Sequence, residues 1–213
     1  MMLTAGALLG KGRAFVLPGP DWHPWKGGAS FANGSIPALH VTTQPRAADI
    51  AALLAVMSER RALVCSPREA LDLTAADLWE PSEQDIAQPL IDLIDILIIA
   101  GFDDPLHPEH VRSLVEQGRA AGVPVIFAGW GRWLPQDQGS GPFQPTKYVF
   151  LNRDGRICTT GDSLRGGDGW VGVGRVDEGY SGHVVDNRII KGAGALLDGQ
   201  PVCDWPAWLG GEA

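Results

Sequence analysis

The sequence predicts an α/β fold, and three observations lead to this prediction. In the middle third of the chain, short runs of aliphatic residues alternate with helical patterns. One of these runs is apolar on both faces, as is typical of a parallel strand covered by helices. A later segment places Asp-Gly between two apolar runs, which is a strong signal of a β-hairpin. We therefore expect about four parallel strands with right-handed crossovers, followed by a C-terminal extension that contains the hairpin.

The first βα unit is predicted from a β-prone run and the helical pattern that follows it. Ile36–Thr43 forms the β-prone run. Arg46–Arg60 then carries its aliphatic residues at helical spacing, which predicts a helix with one buried face. Arg61–Cys65 predicts the second strand, which Ser66-Pro67 ends.

The second half of the core has the clearest helix of the chain. Ile94–Ala100 predicts the third strand, and His107–Gly122 predicts the helix. Pro108 suits the first helical position, and Gly122 suits the position just after the helix. Val123–Ala128 predicts the fourth strand.

Outside this core the patterns become irregular, with many glycines, prolines and tryptophans. Lys147–Thr159 predicts the hairpin, with Asp154-Gly155 in its turn. Val171–Val176 alternates glycine with valine, which favours a flexible or edge strand, and Arg188–Gly199 predicts a short terminal element. The chain thus divides into an N-terminal Gly/Pro/Trp-rich segment (1–35), a βα core (36–133) and a loop-rich extension (134–213).

Composition excludes several classes of protein. The 213 residues carry 17 basic and 25 acidic side chains, a net charge of −8, which argues against binding extended nucleic acid. The longest apolar run, Leu90–Gly101, contains two aspartates and is too short to span a bilayer. The N-terminus lacks the pattern of a signal peptide. Cys65, Cys158 and Cys203 are scattered, so we expect reduced thiols and a cytoplasmic location.

Two segments carry a resemblance to a known family. His107–Trp133 reads HPEHVRSLVEQGRAAGVPVIFAGWGRW, and Gly192–Trp205 reads GAGALLDGQPVCDW. Together they resemble the C-terminal half of the phage and mobile-element proteins with three cysteines that are related to radical-SAM enzymes. Ile36–Leu73 is more weakly similar to the same family.

The resemblance implies a βα-barrel ancestor, of which this chain would keep a truncated half-barrel. It also implies a [4Fe–4S] cluster, but the sequence departs from the family where that cluster would bind. In Asp21–Gly28 a glycine stands where the family has its first cysteine, and no Cys-x-x-Cys follows. Ala100–Asp104 replaces a Gly-Gly-Glu-Ser-Gly loop, and Ala128 replaces a lysine. We therefore expect neither the radical chemistry nor a cofactor.

Ligands of parallel βα folds bind beyond the carboxyl ends of the strands. We call the loops at this edge the rim: 42–44, 66–69, 101–104 and 129–133. Its candidate ligand-binding residues are Gln44, Arg68, Glu69, Asp103, Asp104, Trp130, Arg132 and Trp133. Arginine suits phosphate or carboxylate, and tryptophan suits a stacked base, so a nucleotide-like ligand is one interpretation. The other is that these residues pair with one another and cap helices.

Other candidate sites are weaker. Asp103-Asp104 could serve acid–base chemistry or a hard cation, but Asp-Asp-Pro is also ordinary loop sequence. His107 and His110 are three residues apart at a helix start, where capping by His107 is the favoured interpretation, and no third ligand completes a metal site. No catalytic triad is apparent.

Three functional hypotheses follow. The first is a non-catalytic, phage-type binding or interaction protein, derived from the radical-SAM-like scaffold. The second is an enzyme or sensor that acts on a nucleotide-like ligand at the rim. The third is a structural accessory subunit of a virion or larger complex. Because a half-barrel exposes a strand edge, we expect a homo-oligomer or an assembly subunit unless the terminal segments cover that edge.

Overall fold

The computed structural model describes 13 parts of the chain, between residues 3 and 206. They are residues 3–5, 15–17, 36–44, 47, 60–75, 89–102, 104–138, 147–159, 169–175, 184–185, 188–189, 196–204 and 206.

The larger sheet has six strands, arranged side by side in chain order. They are β1 (Leu3–Ala5), β2 (Phe15–Leu17), β3 (Ile36–Val41), β4 (Ala62–Cys65), β5 (Ile96–Ala100) and β6 (Val125–Gly129). β1 runs antiparallel to β2, and β2 to β6 run parallel. The predicted α/β fold with a parallel sheet is confirmed, and the sequential order places the carboxyl ends of β3 to β6 at one edge.

The core strands bury their side chains on both faces of the sheet, which explains why they are apolar throughout. One row across the sheet aligns Leu39, Leu63, Leu97 and Val125, and the next such row aligns Val41, Cys65, Ile99 and Phe127. Both rows are buried in one core with Val111 and Leu114 of the following helix. Val64, Ile98 and Ile126 alternate with them on the opposite face and are also buried. Each such aliphatic side chain contributes about 1.5–3 kcal/mol on burial.

Helix α1 (Pro108–Ala120) connects β5 to β6, as predicted. The His107 side chain caps its N-terminus, because Nδ1 accepts a hydrogen bond from the Glu109 backbone N–H (3.2 Å). After the helix, Gly122 has a φ of +71°, a left-handed conformation that favours glycine.

The outer edge of β6 is covered by the C-terminal part of the chain. The backbone N–H of Phe127 donates to the carbonyl of Val202 (2.8 Å), and that of Asp204 donates to Val125 (2.8 Å). The segment 202–204 follows a small hairpin of β13 (Leu196–Leu197) and β14 (Gln200–Pro201). On the other side of the core, β2 covers β3. Terminal segments therefore pair with both edges of the four core strands.

A second, antiparallel sheet contains the predicted hairpin. Its order is β7 (Trp133–Pro135), β10 (Trp170–Arg175), β8 (Lys147–Asn152) and β9 (Ile157–Cys158). The alternative in which the glycine-rich segment is an edge strand was wrong, because β10 lies between β7 and β8. A side chain at Gly172 would clash with the Tyr148 ring, so glycine lets that ring lie against the strand.

Several predicted boundaries shift. A short 3₁₀ helix, Leu90–Leu93, precedes β5, so the strand begins at Ile96 rather than Ile94. The predicted helix Arg46–Arg60 lies outside the described residues except at its Ala47 and Arg60 positions. Two further short strands, β11 (Val184–Val185) and β12 (Arg188–Ile189), form a ladder of their own. Within the described parts, no helix is long and apolar enough to cross a membrane.

Candidate functional site

The four rim loops converge as predicted, and two of them are joined through Gln44. Its side-chain amide donates to the Asp72 carbonyl (2.9 Å) and accepts from the Asp72 N–H (2.8 Å). Its backbone N–H donates to the Glu69 carboxylate (2.8 Å). Gln44 and Glu69, two of the eight predicted ligand-binding residues, therefore hold the loop after β4 against the loop after β3.

The charged pair of the rim is Arg68 with Asp104. The Arg68 guanidinium donates to Asp104 at 2.5 Å, and both side chains are more than half exposed. An exposed pair of this kind contributes about 0–1 kcal/mol, because water and salt screen it. The predicted neighbour Asp103 lies outside the described residues.

The two tryptophans predicted to stack a ligand are buried. Trp130 has 0% exposure, contacts Phe127 edge-to-face at 4.9 Å, and donates from Nε1 to the Leu196 carbonyl (3.0 Å). Trp133 belongs to a separate small core with Val149 of the antiparallel sheet. Neither ring offers an open face to a base, whereas Arg132 between them is exposed.

The loops after β5 and β6 touch through their backbones. Gly101 donates to the Gly129 carbonyl (2.7 Å), and the Arg132 N–H donates to the Phe102 carbonyl (3.1 Å). A Cβ at Gly101 or Gly131 would come closer than 3.0 Å to backbone atoms of the facing loop. Gly131 also has a φ of +69°, so glycine is required there for two reasons. This part of the rim is closed by direct backbone contact.

A histidine–serine pair, which the sequence patterns did not predict, lies at the ends of β3 and β4. Ser66 Oγ lies 2.5 Å from the Ala100 carbonyl and 2.9 Å from His40 Nε2. A carbonyl can only accept, so Ser66 donates to Ala100, and His40 then donates to Ser66. His40 thus cannot take the serine proton in this arrangement, and the pair joins three strand ends instead of forming a nucleophile.

The hairpin of the second sheet lies on the rim. A Cβ at Gly155 would clash with the Arg68 carbonyl, so the hairpin turn touches the loop after β4. On the other side of the turn, Arg153 forms an ion pair with Glu109 at the start of α1 (2.6 Å). The antiparallel sheet therefore covers part of the edge where a ligand of a βα fold would enter, at the loop after β4 and the start of α1.

His107 and His110 lie beneath this contact, with ring centroids 5.1 Å apart. His107 Nε2 donates to the Gly169 carbonyl (3.2 Å), while Nδ1 caps the helix. His110 is 4% exposed, and neither ring nitrogen has a hydrogen-bond partner of normal geometry among the described residues. Burial lowers the pKa of both side chains; a backbone hydrogen bond with Gly169 opposes this for His107, and the neighbouring His107 lowers the pKa of His110 further.

A third polar contact joins α1 to the C-terminal hairpin. Arg112 donates to both carboxylate oxygens of Asp198, at 2.8 and 2.5 Å. The Gln138 side chain donates to the same carboxylate (2.9 Å) and accepts from the Asp198 N–H (2.6 Å). The hydrogen bond from Arg112 is the main reason that the pKa of Asp198 falls to about 2.

The residues do not fit the iron–sulfur cluster that the family resemblance implies. Cys65 lies in the core of β4, Cys158 in β9, and Cys203 beside β6. Full burial raises the pKa of the Cys65 thiol far above its usual range, which disfavours the thiolate that a cluster needs. Among the described residues, no group of three or more His, Cys, Asp or Glu side chains is placed to hold a metal ion.

Comparisons of the chain with protein-family models, curated proteins and solved structures found no match in any of the three.

Proposed function

We propose that the chain is a non-catalytic binding or interaction protein of phage type, built on a half-barrel of the radical-SAM-like scaffold that has lost its iron–sulfur site. It works in the cytoplasm, within a homo-oligomer or a larger assembly. The sequential order of the parallel strands supports the half-barrel, because a singly wound barrel has the same order.

The observation that carries this proposal is that the polar side chains of the rim bind other residues of the same chain. Gln44 and Glu69 join two loops, and Arg68 pairs with Asp104. The Trp130 indole is buried against the Leu196 carbonyl. These contacts occupy the groups that would otherwise bind a ligand. They favour the interpretation in which the rim stabilises the fold.

Assembly is supported by one exposed edge of the antiparallel sheet. β9 at this edge is only two residues long, and Ile157 on it is 52% exposed. An exposed apolar residue on an edge strand is a common place for a second chain to pair. Native mass spectrometry tests this part of the proposal, and a mass that stays at one chain across micromolar concentrations would contradict self-association.

A nucleotide panel tests the binding hypothesis at the rim. At 100-fold excess over the Kd, a ligand stabilises the folded state by about 2.7 kcal/mol, which raises the Tm of a chain of this size by about 5–10 °C. We expect nucleoside mono-, di- and triphosphates to leave the Tm unchanged within about 1 °C on the same scale. Arg68→Ala should cost at most about 1 kcal/mol, because its ion pair is exposed.

Arg156→Ala is the matched control, since Arg156 is also exposed and pairs with a single aspartate. A nucleotide-induced rise in Tm that disappears in Arg68→Ala but persists in Arg156→Ala would contradict the proposal. That result would favour the second candidate, an enzyme or sensor for a nucleotide-like ligand. The exposed Arg68 and the partly exposed ring of Phe102 are the observations in its favour.

A further inference from the structure

A pair of histidines, His107 and His110, lies at the contact between the antiparallel sheet and α1. His107 uses both ring nitrogens in its neutral form: Nδ1 accepts from the Glu109 N–H, and Nε2 donates to the Gly169 carbonyl. A proton added at Nδ1 would face the N–H donor of Glu109, so the helix cap would be lost. The capped, sheet-bound arrangement is therefore possible only for neutral His107 of the Nε2–H tautomer.

His110 adds a second proton acceptor to the same place. Its ring is buried beside His107, and its nitrogens make no hydrogen bond of normal geometry within the described residues. A charge on His110 would be desolvated there, and burial outweighs the help that the Arg153 backbone carbonyl gives to the charged ring. The N-terminus of α1 is also the positive end of the helix dipole, which disfavours a cation.

We propose that His107 and His110 form a proton-sensitive latch, which holds the antiparallel sheet on the rim when both are neutral and releases it when they are protonated. This inference does not depend on the proposed binding function. Release would uncover the rim loops that the hairpin turn covers at neutral pH.

The charged groups around the latch come from three elements. On α1 itself, Glu109 favours protonation and Arg112 opposes it. On the hairpin, the Arg153 guanidinium opposes protonation of His107, whereas its backbone carbonyl favours protonation of His110. Glu69, from the loop after β4, favours protonation of His110.

We call the arrangement with the sheet on the rim the closed state and the released arrangement the open state. Burial outweighs the interactions that favour protonation, so the pKa values of both histidines are lower in the closed state than in the open state. In the open state both histidines have ordinary pKa values, about 6.5. The open state then binds more protons than the closed state below this pH, and acidification favours opening. The latch contributes its full stabilisation above about pH 6.5 and loses it as the pH falls through and below that value.

Hydrogen exchange measures the opening directly. Protection factors, corrected for intrinsic exchange, are compared between pH 8 and pH 5 for amides of 147–158 and 169–175. We expect protection in these strands to fall by up to about 10-fold per pH unit for each proton taken up below pH 6.5. Amides of β5 and β6, in the interior of the larger sheet, should keep their protection over the same range.

A double variant, His107→Asn with His110→Phe, removes both titrating groups. Asparagine keeps an oxygen that can cap the helix, and phenylalanine keeps the buried ring. The fall in protection should disappear in this variant and persist in His40→Asn, which removes a histidine near the end of β3. Persistence of the fall in the double variant, or its loss in His40→Asn, would overturn the proposal.

Nitrogen-15 NMR of the unmodified protein provides a test that needs no variant. At pH 8 the His107 imidazole should have the neutral Nε2–H form, because Nδ1 accepts from Glu109. An Nδ1–H tautomer, a charged ring at pH 8, or equal protection of the hairpin at pH 8 and pH 5 would each overturn the latch.

Discussion

Three glycine substitutions separate backbone strain from loop contact. Gly122 and Gly131 have nearly the same φ, +71° and +69°. A Cβ at Gly122 meets nothing within 4 Å, whereas one at Gly131 would press on the backbone of the facing loop. Gly101→Ala would produce the same clash from the other side of the contact. Gly122→Ala therefore measures strain alone, and Gly131→Ala measures strain plus contact.

The two costs can be calculated separately. A non-glycine residue in the left-handed region costs about 1–2 kcal/mol. Replacing glycine also lowers the conformational entropy of the unfolded chain, which stabilises the folded state by about 0.4–1 kcal/mol. Gly122→Ala should therefore destabilise the protein by about 1 kcal/mol in total. Gly131→Ala must also separate two loops joined by the hydrogen bonds from Gly101 to Gly129 and from Arg132 to Phe102. These partly exposed bonds contribute about 1 kcal/mol each.

Urea unfolding, followed by circular dichroism, measures the difference. We expect Gly131→Ala to be less stable than Gly122→Ala by about 2 kcal/mol or more, which corresponds to a Tm lower by about 4–8 °C. The slope of unfolding free energy against urea should remain equal in the two variants. Equal stabilities would refute the closed rim, because the loops after β5 and β6 could then part at no cost and admit a ligand between them.

Two further substitutions test contacts of α1. Gln117→Ala should destabilise the protein by about 1–3 kcal/mol, because the Gln117 side chain satisfies two partly buried backbone groups of the loop after β4. Glu116→Ala, at an exposed neighbour, is the control, and equal stabilities of the two variants in urea would contradict this role. Asp198 has a lowered pKa because Arg112 donates to it, so its stabilisation is present above about pH 4 and is lost as the pH falls toward 2. Asp198→Asn, which tolerates the positive φ of 52°, should make urea stability less dependent on pH between 2 and 4, and an unchanged dependence would contradict the role of the pair.

The elements that could be predicted are those whose signals are local. The end signals of α1, Pro108 and Gly122, lie within one helix length, and its position was predicted to within two residues at each end. The buried strands were predicted from continuous aliphatic runs. The convergence of the rim loops followed from the sequential order of the strands alone.

Features set by distant partners could not be predicted in the same way. The two glycines of β10 suggested an edge strand. Their actual role involves the Tyr148 ring, which lies against Gly172 but belongs to another strand, so the local sequence did not show it. Trp130 was predicted to stack on a ligand. Its indole instead donates to the Leu196 carbonyl, which comes from the distant C-terminal hairpin and could not be inferred from the sequence around Trp130. The hairpin turn on Arg68 is likewise a contact between segments far apart in the chain. Residue type indicated that these positions are special but did not identify what they contact.

The pairing of β6 with residues 202–204 has a consequence for biosynthesis. Ile126 is made about 75 residues before Cys203, its partner across the sheet. At about 5–20 residues per second, the nascent chain carries β6 with an unpaired outer edge for about 4–15 s. During that interval the strand presents free N–H and carbonyl groups beside a newly formed apolar sheet, which is the arrangement that promotes aggregation between chains. Slow elongation or truncation after β6 should therefore lower the soluble yield of this protein and make it more dependent on chaperones.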